Sequence, residues 1–138
     1  MKKNRSYAKK AVACALTTAL LIAMASASDV SAANFSKTCN QIVLQGNILQ
    51  ANCARPNPRD PSNPFYHRTS LNLDSGIGNN DGVLAWGGTN FSQTCKNITL
   101  TSNTMLKADC TRAGVLSINS ILNLDDRINN TNGSLTFD

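Results

Sequence analysis

The chain has 138 residues, with thirteen Lys and Arg against eight Asp, no Glu, one His and five Cys. The formal charge of +5 is loaded at the front, where Lys2, Lys3, Arg5, Lys9 and Lys10 lie; after residue 33 eight bases face seven acids. A balance near +1 argues against electrostatic binding to nucleic acid or an anionic membrane surface, and a single His without any Glu leaves few groups for acid–base catalysis.

Residues 1–33 have the layout of a signal peptide: the basic start, an uncharged apolar run of about 17 residues from Ala11 to Ala27, and the small residues Ser31-Ala32-Ala33 at a cleavage-like position. The expectation is a secreted or periplasmic protein. A single-pass anchor is the alternative, but the run is short and Ala-rich. Cys14 lies within the run rather than after it, contrary to a lipoprotein site.

About 105 residues remain, 34–138, enough for one small domain with a modest core. Ile42-Val43-Leu44 and Ile48-Leu49 flank Gln45-Gly46-Asn47, the pattern of a hairpin. Arg55–Arg68 holds all four prolines (56, 58, 61 and 64) and is expected to be a surface loop, because Pro lacks the N–H a central strand requires. His67 falls in it and is assigned no chemistry. Leu71 and Leu73 alternate with polar residues. Residues 75–79 are expected to make one helical turn with Ile77 inward. Asp81-Gly82 is a two-residue hairpin signal, since a type I′ turn needs positive φ at both central positions.

The chain then repeats itself. Phe35-Ser36-Lys37-Thr38-Cys39 is echoed by Phe91-Ser92-Gln93-Thr94-Cys95, Cys53 by Cys110, and Leu71-Asn72-Leu73-Asp74 by Leu122-Asn123-Leu124-Asp125. Asn79-Asn80-Asp81-Gly82 is echoed by Asn130-Thr131-Asn132-Gly133, and Leu84 and Trp86 by Leu135 and Phe137. The offset is 56 residues at the Phe and 51 at Leu-Asn-Leu-Asp, so a six-residue difference sits in the loop after Cys53. Ordered matches of this kind mark a tandem duplication, with repeats 34–88 and 89–138 joined at Gly87-Gly88. A helical turn is expected at 126–130 by the same correspondence, and the class is all-β.

Four cysteines, Cys39, Cys53, Cys95 and Cys110, follow the leader, and an exported chain would oxidise them. Three pairings are possible. The repeat favours Cys39–Cys53 and Cys95–Cys110, one staple per copy, each worth about 3 kcal/mol in the chain-entropy model. A metal site is the weaker alternative, with one His and no C-x-x-C. Catalysis finds little support: Asp125-Asp126 are neighbours whose side chains diverge if they lie on a strand, and no Ser–His–Asp set or phosphate-cradling Gly motif occurs. The abundance of Asn, Thr and Ser near the turns suits either ordinary turn chemistry or the recognition of sugar hydroxyls.

This ordered and duplicated motif set resembles cyanovirin-N and its homology domain over about residues 34–138. The resemblance implies a pseudo-symmetric all-β fold in which each half is a three-stranded sheet with a β-hairpin, the hairpins being exchanged between halves, with intra-repeat disulfides. It implies a lectin for high-mannose glycans, preferring terminal α(1→2)-linked mannose and using no metal or other cofactor; several relatives block enveloped viruses. Carried over residue by residue, a central pocket comprises Asn79, Asn80, Asp81, Thr89, Asn90, Gln93, Thr94, Thr111 and Arg112. A terminal pocket comprises Asn34, Lys37, Thr38, Ala54, Arg55, Asn130, Thr131 and Asn132.

The chain departs from the family at Gly78, Gln93 and Ala54, where cyanovirin-N has carboxylates, and the stretch 113–115 lacks the polar side chains expected there. Loss of charge-assisted hydrogen bonds weakens binding or changes the preferred sugar. The Pro-rich insert lies beside the terminal pocket and would cover or extend it, so the central pocket is expected to bind more tightly. The expected partners are oligomannose glycans or glycoproteins, with no nucleic acid and no membrane after signal cleavage. The chain is expected to be mostly monomeric, since Gly87-Gly88 folds back without strain, with a domain-swapped dimer as the alternative state. Rival readings are a secreted interaction module that has lost its pockets, and an inhibitor acting through Arg55–Arg68. Five Asn-x-Ser/Thr sites after residue 33, at Asn34, Asn90, Asn97, Asn129 and Asn132, overlap the pockets, so a lectin reading suits a host that does not glycosylate them.

Overall fold

The computed structural model describes residues 33–138; the leader expectation therefore lies outside the described residues but for Ala33. The described residues form antiparallel strands and single turns of 3₁₀ helix. In the first copy, β1 (Cys39–Gln45), β2 (Ile48–Arg55) and β3 (Phe65–Asn72) form one sheet, and β4 (Ile77–Asn80) and β5 (Val83–Trp86) a separate hairpin. In the second, β6 (Cys95–Thr101), β7 (Met105–Arg112) and β8 (Leu116–Asn123) form the sheet, and β9 (Ile128–Thr131) and β10 (Ser134–Phe137) the hairpin.

Local chemistry sets the turns. Asp81 and Gly82 adopt φ 48° and 93°, and Asn132 and Gly133 φ 54° and 90°, the doubly positive pattern of the tight turn read from Asp-Gly and Asn-Gly. Both disulfides join the first and second strands of their own sheet, Cys39–Cys53 and Cys95–Cys110, as the repeat favours. No thiolate is therefore left in either copy for a metal. β2 and β7 alternate, burying Leu49, Ala51 and Cys53, and Leu106, Ala108 and Cys110, while the residues between face outward.

Two expectations shift. The helical turns fall earlier than 75–79 and 126–130: they are the 3₁₀ turns Leu73–Ser75 and Leu124–Asp126, and Ile77 and Ile128 open strands, though both are fully buried as expected. The reason is capping. Asn72 and Asn123 accept the backbone N–H of Asp74 and Asp125 and so start the turn at the Leu-Asn-Leu-Asp motif itself. The Pro-rich loop is also shorter than Arg55–Arg68. Phe65 to Arg68 belong to β3, opposite Arg55 to Asn52, so the loop is 56–64, which still contains every proline. Asp125 and Asp126 accordingly sit on a 3₁₀ turn and not a strand, and they still diverge, Asp125 towards Ser36 and Asp126 towards Asn123.

The two copies are interlocked. Hairpin β4–β5 of the first copy packs on β7 and β8 of the second, and β9–β10 packs back on β2 and β3. Each hairpin is fastened by a hydroxyl from the opposite sheet: Leu84 N–H donates to Ser120 Oγ (2.9 Å) and Leu135 N–H to Thr69 Oγ1 (3.1 Å). The shared core is built from matched pairs that are all fully buried: Phe35 and Phe91, Leu49 and Leu106, Leu73 and Leu124, Ile77 and Ile128. Because each sheet covers its apolar face with the other copy's hairpin, neither sequence repeat forms a closed core by itself.

Candidate pockets at the hairpin tips

Exchange of the hairpins brings three separate segments to each end of the molecule. At the terminal end they are the 3₁₀ turn Phe35–Lys37, the end of β2, and the tip of β9–β10. At the central end they are the 3₁₀ turn Phe91–Gln93, the end of β7, and the tip of β4–β5.

One amide at each end ties the segments together. Asn130 donates through Nδ2 to Thr38 Oγ1 (3.1 Å) and Ala54 O (2.8 Å), and its Oδ1 accepts Gly133 N–H (2.8 Å). Asn79 repeats this with Thr94 Oγ1 (3.0 Å), Thr111 O (2.9 Å) and Gly82 N–H (2.8 Å). Only an amide donates twice and accepts at once from so short a side chain, which is why Asn stands at both places. The two amides are thus spent on assembly, and they hold Thr38 and Thr94 at the rims. Asn34 and Asn90 take the left-handed conformation (φ 50° and 57°) that Asn tolerates better than most residues, and each opens the 3₁₀ turn before its threonine.

A clamp that sequence reading did not assign sets the height of these turns. Asp125 accepts Ser36 N–H (3.0 Å) and the Ser36 hydroxyl, and Asp74 does the same for Ser92. The signal was present as the duplicated Leu-Asn-Leu-Asp and Phe-Ser, but the partners are 89 residues apart in the first case and 18 in the second, so their pairing was not legible.

The rims differ. At the terminal end a cavity of about 450 Å³ opens between Thr38, Ala54, Arg55, Asn130 and Asn132 on one side and Pro56, Pro61 and Pro64 on the other. Four of the expected terminal residues, Thr38, Arg55, Asn130 and Asn132, line it, as does Ala54. Asn34 and Lys37 do not line it, and Thr131 turns to Thr136 of its own hairpin, Oγ1 to Oγ1 at 2.8 Å. At the central end Asp81 Oδ1 accepts Ala113 N–H (2.9 Å), and Oδ2 lies 3.4 Å from Arg112 Nε, both side chains being more than half exposed. Asn79, Asp81, Thr94, Thr111 and Arg112 are thereby joined. Thr89 and Asn90 are exposed neighbours sharing a 3.4 Å contact, and Asn80 and Gln93 are exposed beside them.

Gly78 has a packing role. A Cβ there would stand 2.9 Å from Gly88 Cα and 3.1 Å from Thr89 N, so the link between the repeats lies directly on it. A carboxylate at this position would have to displace that link.

With this geometry in view, comparison with known proteins is informative. The CVNH domain model matches residues 35–136. The solved structure of GzCVNH from Gibberella zeae is 34% identical, covering 76% of this chain and 97% of that one, with a TM-score of 0.65. Microvirin in complex with mannobiose is 30% identical, covering 76% and 98%, with a TM-score of 0.63. A MoCVNH3 variant in complex with (N-GlcNAc)4 is 21% identical over 78% and 98%, with a TM-score of 0.69, a likeness of fold.

Proposed function

Because the chain belongs to the CVNH domain family, we propose that it is a non-enzymatic carbohydrate-binding protein, secreted, that takes high-mannose glycans with a preference for terminal α(1→2)-linked mannose. The observation that carries this reading is the terminal cavity, in which a hydroxyl, an amide and a guanidinium from three chain segments converge on a concave space. Its size falls in the roughly 300–1,000 Å³ range of small-molecule sites, and its donors and acceptors suit vicinal hydroxyls. Microvirin, a relative bound to mannobiose, supports the sugar class. The leader of residues 1–33 and two disulfides support export, since such bonds persist in oxidising compartments.

We rank the terminal pocket above the central one, against the ranking that the sequence suggests. At the central tip Asp81 is already engaged with Arg112 and Ala113, and a ligand there would compete with those contacts. Equivalent variants at the two ends test this. Asn132→Gly with Arg55→Ala is expected to weaken α(1→2)-mannobiose about tenfold to a hundredfold, as for loss of one or two buried polar contacts of about 1–3 kcal/mol. Asp81→Gly with Arg112→Ala is expected to cost less; Gly keeps the positive φ at both tips. Calorimetric titration decides. Absence of any heat of binding to the parent protein would sink the reading, and a larger loss in the second pair would restore the central pocket to first place.

A further inference from the structure

The nine-residue loop 56–64 has no counterpart in the second copy, where Arg112 and Leu116 are joined by residues 113–115 alone. We infer that this loop adds an apolar subsite to the terminal pocket, so that the pocket takes a second pyranose ring, its C–H face laid on Pro61 and Pro64, beyond the ring held by Thr38, Asn130 and Asn132. The inference rests on the glycan-binding reading above and names what that same site prefers.

Three observations carry it. The cavity has two chemically distinct walls, polar side chains on one and three prolines on the other. A sugar ring is matched to such a pair of walls, because its hydroxyls project from the edge and its C–H groups form a face that is better buried than hydrated. The loop is also ordered before any ligand arrives. Asn57 Oδ1 accepts Arg59 N–H (3.0 Å), Asn57 Nδ2 donates to Asn63 O (3.1 Å), and Asp60 Oδ1 accepts both Ser62 N–H (3.1 Å) and the Ser62 hydroxyl (2.6 Å). Two successive Asx-type turns with prolines of fixed φ hold the wall in place, so little ordering is required on binding. Finally, the wall is joined directly to the polar edge. Pro56 follows Arg55, and Pro64 precedes Phe65, which pairs with Arg55 across the sheet.

The second copy supplies the control, since three residues close the equivalent strand pair there. Replacing residues 56–64 with the sequence of residues 113–115 removes the wall and leaves the polar edge. The probes are mannose and its α(1→2)-linked disaccharide and trisaccharide, followed by the amide and side-chain resonances of Thr38 and Asn130, which report the terminal site alone. In the parent protein, affinity at these resonances is expected to rise about tenfold from mannose to the longer probes, the scale of burying one ring face. In the shortened protein mannose should bind within about threefold of the parent while the gain with length falls to about twofold or less. Should the shortened chain fail to fold, Pro61→Ser with Pro64→Ser carries the test on the same criterion. An equal gain with length in parent and variant overturns the subsite while leaving the lectin reading intact. No response of Thr38 and Asn130 to any probe overturns both.

Discussion

At the central end, strands β7 and β8 are closed by three residues, and Asp81 at the facing hairpin tip is held by Ala113 and Arg112. At the terminal end, strands β2 and β3 are closed by nine, and Asn132 at the same place in its hairpin lines a cavity. Everything behind these rims is duplicated: the disulfide, the threonine held by an asparagine, and the Asp–Ser clamp. The difference teaches that duplication fixes where a pocket stands, while loop length and one tip residue, Asp or Asn, fix whether it is concave. The scaffold should therefore respond alike to matched lesions in the two copies, and the rims should not.

The largest expected effect tests the symmetric part. Removing both members of either disulfide should cost about 2–5 kcal/mol, as for native bonds in small secreted domains. The two deletions should agree closely, because the sequence separations are 14 and 15 residues and loop-closure entropy changes slowly with length. Urea unfolding measures both; a marked inequality would break the equivalence of the halves. A smaller effect tests where the symmetry fails. Gly78→Ala drives a Cβ against the backbone of Gly88 and should cost about 1–3 kcal/mol, the usual penalty of overpacking. Its counterpart Asn129→Ala should stay within about 0.5 kcal/mol, as for ordinary surface changes. Equal shifts in unfolding midpoint would show that the link between repeats does not press on Gly78.

The smallest effect lies on the outer sheet faces. Asp109 accepts from Asn119 (2.8 Å) and Asn97 (2.9 Å), and these hydrogen bonds, that from Asn119 foremost, hold its carboxyl below the ordinary value of 3.8. The first copy has Asn52 at this place, bonded to Gln41 (2.6 Å). A lowered carboxyl in the folded state stabilises the protein above the unfolded value and ceases to do so as pH falls through the lower folded value. Asp109→Asn should therefore lose slightly less stability than the parent between neutral pH and pH below 3.8, seen as a smaller drop in urea midpoint. Identical acid dependence would show that the Asn119 and Asn97 bonds give no net preference for the carboxylate.

The turns, the strand pairs and the disulfide partners were legible because they are local. Asp81-Gly82 and Asn132-Gly133 impose their φ whatever surrounds them, and Cys39 and Cys53 are neighbours across a hairpin. The 3₁₀ turns were displaced because Leu73 and Leu124 look like the ends of alternating strands; only the side-chain caps of Asn72 and Asn123 start a turn there. At the candidate site, Thr38, Arg55, Asn130 and Asn132 were placed by resemblance and meet at one cavity, whereas Lys37 and Thr131 point elsewhere.

By itself the sequence determined the duplication, the all-β class, the pairing of its cysteines and the family, because ordered repeats and short-range turn chemistry survive without a third dimension. Tertiary structure decided the rest. Which hydroxyl fastens each hairpin, that Asp125 reaches back to Ser36, that Gly78 touches Gly88, and that three prolines face Asn130 across open space all depend on segments far apart in the chain meeting after the halves interlock. Such contacts are selected by the packing of the whole core, and no local pattern encodes them.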